Sequence, residues 1–139
     1  MPDAGPPSTG VGCTQAEADT YVPGMKKPGD AGRYSFELVS STPAPPALDD
    51  NTFVVQVSDA DESPVAGELS VALDMPEHGH PSPKQPNVSF DPAASAFTLD
   101  PMQLFMVGLW RLTFTFTPDA GSASASVVGD SAVFKFCID

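Results

Sequence analysis

Apolar and polar positions alternate with a period of two along most of the chain after residue 33. The clearest run covers residues 109–117, where Trp110, Leu112, Phe114 and Phe116 share one parity and the polar positions between them hold Arg and Thr. Side chains on a strand point alternately to its two faces, whereas a helix with 3.6 residues per turn would mix the two sets. This run therefore predicts a strand whose aromatic face lies in a core.

Six further runs show the same alternation, and no segment has a convincing helical period. They lie at about 34–38, 53–57, 65–73, 88–90, 97–99 and 132–138. Most of the 16 prolines fall in the breaks between the runs, as is typical of all-β chains, because proline is excluded from central strands. The pattern predicts an all-β protein, an immunoglobulin-like antiparallel β-sandwich of about seven strands.

The domain organisation follows from length and from the composition of the first residues. A chain of 139 residues fits one domain. Residues 1–32 hold a flexible leader rich in Pro and Gly and then an irregular segment, so we place the sandwich domain at 33–139. The start of the chain has neither the basic residues nor the apolar stretch of a signal peptide.

Charge and hydropathy exclude some partners. The formal net charge is −12, with only six Lys and Arg. This acidity disfavours nucleic acid and anionic membrane surfaces. It favours cations only weakly, since an acidic surface also serves solubility. No apolar run approaches the roughly 20 residues needed to cross a bilayer, so we expect no transmembrane segment.

The two cysteines, Cys13 and Cys137, lie near opposite ends of the chain. A disulfide between them would close a long loop and stabilise the fold by about 4–5 kcal/mol in the chain-entropy model. Two buried free thiols are the alternative, and the spacing fits neither a zinc site nor a thioredoxin-type motif. A disulfide predicts an oxidising compartment, the periplasm or the cell exterior.

Catalytic motifs are absent from the sequence. Both histidines lie in one turn, and there is neither a nucleophile motif, nor a phosphate-binding glycine loop, nor a zinc-protease motif. We therefore expect a protein that is not an enzyme.

The residues that could bind a metal cluster in segment 75–80 (Met-Pro-Glu-His-Gly-His). His78 and His80 are two positions apart, which puts them on the same side of an extended backbone, and Met75 precedes them. Thioethers select Cu(I), and imidazole accepts Cu(I), Cu(II) or zinc. Glu77 is a further oxygen ligand or a group that orients a histidine. Met75 also has the parity of the apolar run 65–73, so the alternative is that it continues the core face, and methionine fills a core more often than it binds a metal.

Three other methionines extend this set. Met102 and Met106 precede the strand of Trp110, and Met106 would reach the histidines if that end of the sandwich faces segment 75–80. Met25 is a further candidate in the irregular N-terminal part of the chain.

Segment 75–80, together with segment 104–110 (Leu-Phe-Met-Val-Gly-Leu-Trp), resembles the YtkA-like domain family, which is related to the FixH group. The hallmark of that family is a Met-Pro-x-His-Gly-His turn, followed by a Met-Pro-Gly-x-Trp segment before a long strand. The resemblance covers roughly residues 33–138. It matches His78, His80, Met75 and Met106 to motif positions, and it departs at Val107, where the family usually has the fixed φ of proline.

The resemblance implies an immunoglobulin-like sandwich outside the cytoplasm: in the periplasm, as an outer-membrane lipoprotein, or secreted. It also implies copper handling, with Cu(I) favoured over Cu(II), as a chaperone, buffer or resistance factor that assists the assembly of a copper oxidase or another cuproprotein. The alternative is a metal-free interaction module of the cell envelope, in which the His-Gly-His turn is structural, because a fold alone implies no function.

Overall fold

The computed structural model describes residues 18–75, 80–81, 85–118 and 129–138, and of residues 80–81 it describes the backbone. These residues form nine strands and no helix. The strands are β1 (Met25–Pro28), β2 (Ser35–Thr42), β3 (Asp49–Ser58), β4 (Gly67–Met75), β5 (His80–Pro81), β6 (Asn87–Asp91), β7 (Ala96–Leu104), β8 (Gly108–Pro118) and β9 (Asp130–Ile138).

The strands pair in two antiparallel sheets, in the orders β1-β2-β3-β7-β6 and β5-β4-β8-β9. Strands β2-β3-β7-β6 correspond to A-B-E-D of an immunoglobulin domain, and β5-β4-β8-β9 correspond to C′-C-F-G. The predicted all-β, immunoglobulin-like sandwich is therefore confirmed. Each of the seven alternating runs in the sequence overlaps one of the strands β2, β3, β4, β6, β7, β8 and β9.

The core lies between the two sheets and is built from the alternating positions. Along β8 the burial pattern places Trp110, Leu112, Phe114 and Phe116 inside, each fully buried. The neighbouring strand β9 supplies further aromatic rings, and its Phe134 meets Phe114 edge to face at 5.6 Å between ring centroids. Complete burial of one large apolar side chain contributes about 1.5–3 kcal/mol relative to exposure, so these rings are the main source of stability.

The sequence predicts an irregular segment before β2, but this segment contains β1 and bonds to both sheets. β1 pairs with β2. The backbone N–H of Asp19 donates to the carbonyl of Lys135 at 2.7 Å, and the ammonium of Lys27 donates to the carbonyl of Val133 at 2.9 Å. Residues 18–28 therefore run along the open side of the sandwich between β2 and β9. The leader itself, residues 1–17, lies outside the described residues.

A buried carboxylate of β9 binds the loop that connects β1 to β2. Asp130, the first residue of β9, is 6% exposed and accepts backbone N–H groups from Ala31, Arg33 and Tyr34. Gly29 lies so close that an added Cβ would sit 2.2 Å from this carboxyl group. A glycine is therefore required there for the loop to wrap around the aspartate.

Candidate functional site

Met75 is the last residue of β4 and is completely buried. It follows Leu69, Val71 and Leu73 on the inward face of the strand. The interpretation that Met75 continues the core face is confirmed. The sulfur of Met75 could therefore reach a metal only from the core side of β4.

His80 lies beside Met75. The chain leaves β4 at Met75 and re-enters the sheet in β5, where His80 is the antiparallel partner of Met75 and Pro81 is the partner of Asp74. The two residues opposite each other on an antiparallel ladder have their Cα atoms about 4.5–5.5 Å apart. Glu77 and His78 lie outside the described residues, so the convergence of the two imidazoles stays a prediction.

Met106 lies in the connection between β7 and β8, which crosses from one sheet to the other. Its side chain is half-buried and packs against the core. Its backbone carbonyl accepts the indole N–H of Trp110 at 2.8 Å, and the ring of Phe105 packs edge-on against the same indole at 5.5 Å. This bond anchors the turn at Met106, where Val107 does not impose the fixed φ of proline.

The connection at Met106 lies at the same end of the sandwich as Met75 and His80. The ladder between β4 and β8 ends with Asp74 opposite Arg111, so Met75 and Trp110 are the next positions on neighbouring strands. Both are core residues with no exposed surface. Met106 therefore lies at the end of the sandwich where β4 ends, and its approach to the histidines stays a prediction.

The other two methionines differ in position. Met102 is fully buried in β7, and its carbonyl accepts the side-chain amide of Asn51 at 3.2 Å. Met25 is half-buried on β1, opposite Leu38. β1 borders the β9 side of the sandwich, whereas β4 and β5 form the opposite side of their sheet. Adjacent strands are about 4.8 Å apart, so the sheet order separates Met25 from Met75 and His80.

An ion pair on the outer face of the sheet lies next to Met75 and was not anticipated from the sequence. Arg111 donates to both carboxylate oxygens of Asp74, from Nε at 3.1 Å and from Nη2 at 2.6 Å. This hydrogen bond, followed by the charge of Asp74, raises the pKa of the Arg111 guanidinium above its usual value. The pair fixes the register of β4 and β8 at the point where segment 75–80 begins. The only signal in the sequence was Arg111 itself, the one cation among the outward-facing threonines of its run.

Within the described ranges, no group of three or more His, Cys, Asp or Glu side chains could hold a metal ion. Cys137 is half-buried in β9, and no cysteine in that part of the chain is free. Cys13 lies outside the described residues, so its pairing with Cys137 stays a prediction.

The fold and these positions define a class: an immunoglobulin-type sandwich in which Met75 and His80 are strand neighbours at the end of β4. A family model described as YtkA-like matches residues 30–115, more than half of the chain. The chain belongs to the YtkA-like family, as its motifs predicted.

No curated protein matches it. No solved structure matches it either. Among the described residues, no helix has the length and apolar character needed to traverse a bilayer.

Proposed function

We propose that this protein binds a copper ion, preferentially Cu(I), at the end of the sandwich formed by segment 75–80 and the Met106 turn. The observation that carries the proposal is the register of Met75 opposite His80, one strand from the Trp110–Met106 hydrogen bond. The donor set fits the metal, because thioether and imidazole are ligands that Cu(I) accepts. The ligands are His78 and His80 with Met106 and Met75.

Each residue has a distinct task in this proposal. The two histidines bind the ion from the turn, and Met106 adds a soft ligand from the neighbouring connection. Met75 is held by the core, so its sulfur closes the inner side of the site. Glu77 orients a histidine or contributes an oxygen. Met25 and Met102 pack in the fold and are left out of the ligand set.

A site formed by a turn and a loop at the end of a sandwich is open to another protein. Copper is therefore cargo that a partner, a cuproprotein or an oxidase under assembly, removes by ligand exchange. The protein acts in the periplasm, as a lipoprotein or after secretion, where the Cys13–Cys137 disulfide is stable. Binding and transfer, rather than catalysis, are its function.

The test is a titration with Cu(I) against a competing chelator. We expect saturation at one equivalent and loss of binding in the His78→Ala, His80→Ala double variant. Met106→Leu preserves volume and removes only the sulfur, and we expect about tenfold weaker binding, or more, from the loss of one soft ligand. Met25→Leu is the matched control and should bind as the wild type does.

Binding no stronger than the chelator background would refute the copper proposal. The protein would then be a metal-free interaction module of the cell envelope. Equal losses in Met106→Leu and Met25→Leu would instead remove Met106 from the site while leaving the histidines in place.

A further inference from the structure

Among the residues that the structure describes, β4 has one open edge along most of its length. Its residues pair with β8 from Gly67 to Asp74, but on the other side β5 pairs only with Asp74 and Met75. Within the ranges that the structure describes, Gly67–Leu73 therefore have a hydrogen-bonded neighbour on one side alone. Backbone N–H and C=O groups along such an edge are a template for another extended strand.

A groove follows this open edge and exposes apolar surface. It is lined on the β4 side by Gly67–Ser70 and on the β6 side by Val88, Ser89 and Phe90. Val88 is 37% exposed, which is unusual for a large apolar side chain of this protein. Phe90 is half-buried and packs against Phe97 at 4.8 Å between ring centroids. A strand added to β4 would turn every second side chain toward Val88 and Phe90.

The charge of the groove selects its occupant. Among its described lining residues, Glu68 is the one that carries a charge, and its side chain is exposed on the edge strand. A charged residue on an edge strand opposes pairing with a second copy of the same strand. A formal net charge of −12 opposes self-association further. Neither source of charge repulsion acts on a strand that carries cationic residues.

We propose that the β4 edge binds an extended, basic segment of a partner protein by strand addition. A Lys or Arg of the partner lies beside Glu68, and its alternate apolar side chains cover Val88 and Phe90. The inference is independent of copper, because the edge uses Gly67–Val71 and the metal proposal uses the opposite end of β4.

The probe is a nine-residue peptide that alternates Lys and Val. Added to the isotope-labelled full chain, it should shift the NMR signals of Gly67–Val71 and protect those of their amides that point away from β8 from hydrogen exchange. The same peptide with an N-methyl group on every residue keeps its charge but has no backbone N–H to donate from either edge. We expect it to bind at least about tenfold more weakly, the loss of one or two net hydrogen bonds.

Two charge-reversing variants distinguish peptide binding at the β4 edge from general attraction to an acidic protein. Glu68→Lys should weaken peptide binding about tenfold, whereas Asp61→Lys, on an exposed loop after β3, should change it less than about twofold. Equal effects of the two variants would overturn the proposal, as would undiminished binding of the N-methylated peptide. Dimerisation without peptide, with protection of Gly67–Val71, would also overturn it, since the edge would then belong to a second copy.

Discussion

At the scale of single residues, the buried carboxylate of Asp130 is held by four backbone N–H groups. Its Oδ1 accepts N–H groups of Ala31 and Ser131 at 2.8 and 2.9 Å, and its Oδ2 accepts those of Arg33 and Tyr34 at 2.8 and 3.1 Å. Asp130→Asn replaces one oxygen with an NH₂ group that faces two donors. We expect the free energy of unfolding in urea to fall by about 2–4 kcal/mol. Asp61→Asn, on the exposed loop, is the control and should change it by less than about 0.5 kcal/mol.

The same carboxylate predicts a dependence of stability on pH. Burial alone would raise the pKa of Asp130, but the hydrogen bonds from four backbone N–H groups outweigh it and hold the pKa below its ordinary value. A carboxyl group with a depressed folded pKa contributes stability that is fully present above its unfolded pKa, about 3.9. This contribution is lost as pH falls through the folded pKa. Urea unfolding at a series of pH values should therefore show a steeper acid-side loss for the wild type than for Asp130→Asn. Parallel curves would contradict this account.

At the scale of elements, the alternation of apolar and polar residues predicted those strands that have one apolar face of their own. Met75 illustrates this, because its parity with Leu73 predicted a buried side chain. β1 and β5 were missed for a physical reason. β1 ends in a proline and holds two lysines, and β5 is two residues that include a proline, so only their neighbours β2 and β4 make them strands. The same limit applies to the Met106 turn, which depends on a hydrogen bond from the indole of Trp110, the third residue of β8.

The anchoring of the Met106 turn can be tested with one conservative variant. Trp110→Phe keeps an aromatic ring in the core but removes the N–H that donates to the Met106 carbonyl. We expect hydrogen exchange at the amides of Val107 and Gly108 to accelerate about tenfold, as one net hydrogen bond would produce. Phe114→Leu, deeper on the same strand, controls for lost aromatic volume. If exchange in the turn rises equally in both variants, the indole hydrogen bond is not what holds it.

At the scale of the whole molecule, the first described residues of the chain are bonded to the last strand, β9. Asp19 is bonded to Lys135 twice, through its backbone N–H to the Lys135 carbonyl and through its carboxylate to the Lys135 N–H at 2.8 Å. Cys137 is two residues beyond Lys135, and Cys13 is six residues before Asp19. Six residues span at most about 20 Å when extended, so Cys13 has ample reach to its predicted partner.

A disulfide at this position would tie the N-terminal segment to the last strand and close almost the entire chain into one loop. Cys13→Ser, or reduction of the wild type, should therefore lower the free energy of unfolding by about 4 kcal/mol and the Tm by roughly 10–15 °C. A thiol assay on the denatured, unreduced protein should detect no free thiol. Two thiols per chain, with the same Tm before and after reduction, would establish the buried-thiol alternative. The location in an oxidising compartment would then have to be argued without the cysteines. Because Lys27 and Asp19 still bond to β9 in that case, the sandwich would remain closed on this side by hydrogen bonds alone.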